Sequence, residues 1–171
     1  MKTLPTLILL TLAGCASAQS TGIANSQIDY QGFRAIVIGS GEAREQGRLD
    51  EAAFVQAMAE DKVVLLDARS ADAYRLRHVR GAINLPFTDF TAERLAAIIP
   101  DTSTRILIYC NNNFAGSQRA FPTKAPAASL NLATQASLRA YGYRNIEELG
   151  PFLDVATTRI PFDGEEVVAG R

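Results

Sequence analysis

One stretch constrains what this chain can fold into more than any other: Ile106-Leu107-Ile108-Tyr109-Cys110-Asn111-Asn112-Asn113-Phe114-Ala115-Gly116-Ser117-Gln118-Arg119. It follows the turn-forming run Pro100-Asp101-Thr102-Ser103-Thr104 and opens with four apolar or aromatic residues. A short, continuous apolar run bounded by turn signals predicts a strand buried on both faces, as in a parallel sheet. The run stops at a cysteine, and the Asn, Gly, Ser and Gln that follow favour a loop. Ligands of open α/β sheets bind beyond the carboxyl ends of the strands. The spacing therefore puts Cys110 where a reactive group is useful.

The rest of the chain supplies the other layers of such a fold. Asp50 is a good N-cap for a helix to about Glu60, and Val63-Val64-Leu65-Leu66 is a second buried strand ending at Asp67. Ser70 caps a short helix, Ala82 to Leu85 reads as a strand closed by Pro86, and Thr91 caps a helix with Phe90 and Leu95 at staple spacing. Pro122 and Pro126 bound an extended piece of loop. Ser129 then caps a helix to about Tyr141, which Gly142 ends. Ile146 to Leu149 is the last predicted strand. Strands alternating with helices imply an α/β fold, a central parallel sheet with helices on both faces.

The two ends are read differently. Residues 1–19 read as an export signal, with Lys2 followed by a short apolar run from Leu4 to Leu12. Leu12-Ala13-Gly14-Cys15 resembles a bacterial lipobox in which Cys15 is lipidated; Ala16-Ser17-Ala18 offers an ordinary cleavage site instead. Either cut leaves Cys110 without an intramolecular partner, because the sequence holds two cysteines. Residues 20–47 are expected to be a tether plus short strands at Ile28-Asp29-Tyr30 and Phe33 to Ile38, with Gly39-Ser40-Gly41 as a turn. A single domain is expected over 48–156. Residues 157–171 are read as a C-terminal tail, after one turn or short helix near Phe152 to Ala156.

Composition excludes several classes. A formal net charge of −1 gives no sign of a nucleic-acid partner. One histidine, two cysteines and no CxxC give no zinc site, and no metal or organic cofactor is implied.

The segment from Val63 to about Leu153 resembles the rhodanese-like domain family. The resemblance rests on Asp67-Ala68-Arg69, Tyr74, His78-Val79-Arg80-Gly81-Ala82-Ile83-Asn84-Leu85-Pro86, the strand into Cys110, and Leu138, Gly142-Tyr143 and Leu149-Gly150. It implies a single rhodanese-like domain in which Cys110 is the nucleophile, taking sulfane sulfur from a small anionic or persulfide donor. The sulfur is held as a persulfide and passed to a thiol acceptor. By the same resemblance, Asp67, Arg69 and His78 are structural residues near the site. The chain departs from the family at the loop after the cysteine, which is short there and ends in Arg. Here the next arginine is Arg119, and the helix restarts only near Ser129.

The loop therefore nominates Arg119 and Lys124 as cations, with Asn111, Asn112 and Asn113 as donors toward an anion. The helix N-terminus near Ser129 is a second source of thiolate stabilisation, unless the long loop holds it away. Three functions compete: an exported sulfurtransferase, a non-catalytic rhodanese-like binding module, and a thiol redox sensor. The plainest alternative for Cys110 is an inert buried thiol. The expected location is the bacterial cell envelope, periplasmic or anchored by lipid at Cys15, with no other membrane contact.

Overall fold

Asp29 opens the first helix, where the sequence reads as two short strands. Its Oδ1 accepts the Gly32 N–H at 2.8 Å, and α1 runs Tyr30–Gly39. The β-branched run Ile36-Val37-Ile38 suggested a strand, but such residues cost a helix only a few tenths of a kcal/mol each. The cap, and packing against a later helix, decide the outcome. The computed structural model describes residue 23 and residues 25–168, so the export signal and Cys15 lie outside the described residues.

From α1 the chain turns at Ser40 into α2 (Gly41–Gln46), then enters β1 (Arg48–Leu49) and α3 (Glu51–Met58). β2 (Val63–Asp67), α4 (Ala71–Leu76), β3 (His78–Val79), β4 (Ile83–Asn84) and α5 (Ala92–Ile98) follow. Next come β5 (Arg105–Tyr109), β6 (Phe114–Ala115), α6 (Leu130–Ala140) and β7 (Ile146–Leu149). β8 (Leu153–Asp154), β9 (Phe162–Asp163) and α7 (Glu165–Val168) close the described chain. The predicted caps of α3, α4 and α5 form as expected: Asp50 accepts from Ala53 N–H at 2.8 Å, Ser70 from Ala73 at 3.3 Å and Thr91 from Arg94 at 3.2 Å.

Five strands make the main sheet, in the order β1-β7-β5-β2-β4, and every pairing is parallel. Successive side chains alternate between its faces. Leu65, Leu107 and Tyr109 pack with Phe54 and Ala57 of α3 on one face. Leu66, Ile106, Ile108 and Ile146 pack with Leu95 of α5 and Leu138 of α6 on the other. Helices on both faces leave the central strands little contact with water beyond their first residues, which explains their apolar runs. Gly142 ends α6 at φ +97°, and Tyr143 N–H bonds back to the Leu138 carbonyl at 3.1 Å. This is the Schellman arrangement, which favours glycine at that position.

The C-terminal segment is not a tail. β9 pairs antiparallel with β3, joining His78 to Asp163 and Val79 to Phe162. Ile160 and Phe162 are buried in the α3-side core. Leu153 and Asp154, expected within a turn or short helix, form β8 against β6. The reason is the long loop itself: Phe114, Phe121 and Phe162 pack edge-on or tilted against one another at centroid distances of 4.8 to 6.0 Å, and this cluster draws in chain that local propensity leaves open.

Candidate functional site

Cys110 follows the last residue of β5, so alternation turns its side chain to the α6 face of the sheet. It is 1% exposed, at the wall of a cleft of about 320 Å³ that opens between α6, β7 and the α2–β1 corner. Asn111–Asn113 form one turn of 3-10 helix capped by Cys110. Cys110 N–H donates to Asn113 Oδ1 at 2.8 Å, and Asn113 N–H reaches back to the Cys110 side chain. Asn113 Nδ2 donates to the carbonyls of Leu149 and Pro151 at 2.7 and 3.1 Å, so the turn is tied to the end of β7. Asn131, on α6, donates to Asn113 Oδ1 at 3.3 Å.

The N-terminus of α6 is at the sulfur, not displaced by the loop. Ser129 Oγ lies 3.4 Å from Cys110 Sγ. Ser129 makes no side-chain capping bond to its helix; its hydroxyl faces the sulfur instead. A hydroxyl, a backbone amide and the N-terminus of α6 thus converge on the sulfur.

The candidate loop cations are elsewhere. Arg119 has a side chain 77% exposed and lies 3.9 Å from Glu166, on the far side of the loop. Lys124 and Asn111 line a separate cavity beside Arg69. Asn112 holds the loop closed by bonding both the carbonyl and the N–H of Lys124, at 2.7 and 3.1 Å. Of the asparagine triplet, Asn113 is the one joined to Cys110 by side-chain hydrogen bonding.

The cations lining the sulfur cleft are Arg44 of α2 and Arg48 of β1, which the loop-centred reading missed. Arg44 Nη2 bonds Glu148 Oε1 at 2.5 Å, and Arg48 Nε lies 3.6 Å from the same oxygen. Glu148 is buried on β7, and burial pushes its carboxyl above the usual glutamate range, against the pull of Arg44 and Arg48. The available signal was Glu148 itself, a charge inside a strand that otherwise reads as buried. Its partners stand about a hundred residues away in sequence, so spacing alone does not reveal them.

Asp67 and Arg69 form a buried pair on the opposite face, Nη2 to Oδ2 at 2.5 Å. Burial opposes the charge of Arg69, and the bond and charge of Asp67 more than offset it. Arg69 Nη1 donates to the Ala120 carbonyl at 2.7 Å, and its guanidinium lies 4.3 Å from the centre of the Phe121 ring. The pair thus anchors the long loop. Tyr109 OH donates to Asp67 and accepts from Val79 N–H at 3.1 Å. Burial, then the Asp67 charge, push its phenol well above the ordinary value. His78 stacks on Tyr74 at 3.7 Å, with its Nδ1 bonded to the Tyr74 carbonyl at 2.7 Å, remote from the sulfur cleft. Among the described residues no group of three or more His, Cys, Asp or Glu could hold a metal ion.

The model of the rhodanese-like domain matches residues 50–149. This chain belongs to the rhodanese-like family. A thiosulfate sulfurtransferase of Escherichia coli K12, PspE, is 30% identical over 95 residues, covering 56% of this chain and 76% of that protein. The rhodanese-like domain of an Anabaena protein superposes with a TM-score of 0.50 at 20% identity, over 71% of this chain and 81% of that one. At that identity the likeness shows the fold. An E. coli rhodanese solved with anions has 25% identity and a TM-score of 0.41, over 60% of this chain and 99% of that one. The rhodanese-like match begins at Asp50, so Arg44 and Arg48 stand outside it.

Proposed function

We propose that this rhodanese-like protein is a sulfurtransferase that carries sulfane sulfur as a persulfide on Cys110. The observation that carries the reading is the sulfur's position. It sits at the carboxyl end of β5, within 3.4 Å of Ser129 Oγ and bonded by the Asn113 amide, on a cleft with guanidinium groups in its wall. An inert core thiol has no use for these groups.

In the proposed reaction the Cys110 thiolate attacks the outer sulfur of a donor such as thiosulfate. The new Cys–S bond forms as the donor's S–S bond breaks, and sulfite leaves with the bonding pair. The persulfide keeps one negative charge, which the Asn113 amide and the Ser129 hydroxyl stabilise. An acceptor thiolate then attacks the outer sulfur, leaves as a persulfide and restores the Cys110 thiolate. No electrons are lost or gained overall, so no redox cofactor is required.

The likeness to a thiosulfate sulfurtransferase supports the donor class. The export signal and lipobox at Leu12-Ala13-Gly14-Cys15 support a site of action in the cell envelope. The test is cyanide-releasable sulfur after incubation with thiosulfate. Near-stoichiometric loading is expected for the native chain and none for Cys110→Ser. Equal release from both rejects the reading. The intact mass of protein from native membranes reports lipidation at Cys15 directly.

A further inference from the structure

α1 holds a single charged side chain, Arg34, beside the apolar Phe33, Ile36, Val37 and Ile38, yet none of its residues is buried. A helix of that composition is ordinarily covered. α6 covers only one side of it: the half-buried Gly32, Ile36 and Ser40, four residues apart, mark the face turned that way. Tyr30, Phe33 and Val37 follow at i, i+3 and i+7 beside that face, and Ile38 lies further round the helix. All four are exposed, as are Ile23 and Ile28 just before α1. Six of the ten large exposed hydrophobic side chains among the described residues thus fall between 23 and 38. A seventh, Leu132 of α6, lines the groove beside Phe33 and Val37 and extends the same patch.

The area narrows the choice of partner. Ten residues of helix make a strip about 15 Å long and about 10 Å wide. Each side of a stable protein complex buries about 800 Å², so the strip alone is too small to hold a second copy. It is also too short to cross a bilayer, and no described helix is long and apolar enough to do so. A helix lying along a membrane surface needs only an apolar stripe and a means of staying close.

The sequence supplies that means. Ile28 stands thirteen positions after the lipobox cysteine, Cys15. Thirteen residues span at most about 45 Å when fully extended, so a lipid on Cys15 keeps α1 within that distance of the bilayer. Association through a tether is intramolecular, and a face that is weak in free solution then becomes sufficient. Charge agrees with this partner. Between 23 and 39 the one acid is Asp29, which caps α1 by accepting the Gly32 N–H, and the one base is Arg34. Arg34 is exposed, as is Arg144, which lines the groove on the other side of α1. Both can reach phosphate headgroups while the apolar stripe sits deeper.

We infer that α1 is an interfacial helix, whose Tyr30, Phe33 and Val37 stripe lies in the headgroup boundary of the bilayer that holds the lipid on Cys15. The inference rests on lipidation of Cys15, and adds a second, non-covalent contact that fixes how the domain faces the membrane. It is independent of the persulfide reading of Cys110.

The chain holds no tryptophan, so one introduced residue reports its own surroundings. Phe33→Trp is compared with Ile83→Trp, since Ile83 is exposed on β4, at the edge of the sheet opposite β1. The full chain is purified from native membranes, its lipid verified by intact mass, and reconstituted into vesicles of phosphatidylethanolamine and phosphatidylglycerol. Phe33→Trp emission is expected to lie at shorter wavelength than that of Ile83→Trp. It is also expected to fall about twofold or more when the acyl chains are brominated, as for a ring at the acyl boundary. Ile83→Trp is expected to be unaffected by bromination. Adding Val37→Asp to Phe33→Trp is expected to abolish most of the quenching with an unchanged urea midpoint. Emission of Phe33→Trp that matches Ile83→Trp and ignores brominated lipid overturns the inference. Blue-shifted emission that brominated lipid does not quench means that protein covers the ring, a second copy included, and also overturns it. A mature chain without lipid on Cys15 removes the tether and overturns both the lipidation reading and this one, whereas a lipidated chain with unquenched Phe33→Trp overturns this one alone.

Discussion

Cys110 is held between its own loop and the start of α6, and Asn113 ties that loop to the end of β7. The Ser129 hydroxyl is the most specific of these contacts, since it forgoes capping its helix to face the sulfur. Ser129→Ala is therefore expected to slow persulfide loading at Cys110 severalfold, as the hydrogen-bonding contact to the sulfur is lost. Loading rates with thiosulfate at one fixed pH measure this. Asn113 bonds the Cys110 N–H and two carbonyls at once, so Asn113→Ala leaves several buried groups unpaired. It is expected to cost about 3 kcal/mol, read as a lower urea midpoint. Glu148 gives a prediction with a sign. Its folded-state carboxyl titrates above the usual 4.5 because of burial. The native chain thus binds this proton more tightly than the unfolded chain. The Glu148 contribution to stability is present below that value and is lost as pH rises through the folded-state titration. Chemical denaturation at a series of pH values from 4.5 upward is expected to show a shallower decline for Glu148→Gln than for the native chain.

At the scale of elements, legibility followed locality. β2, β5 and β7 could be read because burial on both faces writes itself as consecutive apolar residues, and α3, α4 and α5 because Asp50, Ser70 and Thr91 announce their starts. α1 was misread because Ile36-Val37-Ile38 carries strand propensity, while the contact that settles it, α6, lies almost a hundred residues on. β9 was invisible for a similar reason. Two residues pair with two others more than eighty positions away, and the aromatic cluster of Phe114, Phe121 and Phe162 holds them there. Phe162→Ala is expected to cost about 3–5 kcal/mol by opening that cluster, measured by thermal or urea unfolding. Gly164 links β9 to α7 at φ +123°, where a Cβ would stand 2.5 Å from the Leu76 carbonyl oxygen. Gly164→Ala is accordingly expected to destabilise the C-terminal clamp, seen as earlier proteolysis beyond residue 156.

On the scale of the whole molecule, the strand-end position of Cys110 was legible and its surroundings were not. Cys110 declared itself by ending a strand, whereas Arg44, Arg48, Glu148 and Asn131 meet only because β1 joins the sheet beside β7 and α6 covers both. The loop cations Arg119 and Lys124 were the natural sequence choice, yet packing sends them away. The Asp67–Arg69 pair adds a further contrast. It lies on the opposite face and serves the long loop through Ala120. Because the pair is buried, Arg69→Met strands a carboxylate and is expected to destabilise the fold by about 3–5 kcal/mol, with a smaller penalty when Asp67→Asn is added. The α2–β1 corner lies upstream of the conserved-fold segment and still walls the sulfur chamber. The proposed nucleophile and the wall of its cleft are thus written in different stretches of this polypeptide. The entrance can be rebuilt by editing one short amphipathic preface, without disturbing the strand that presents Cys110.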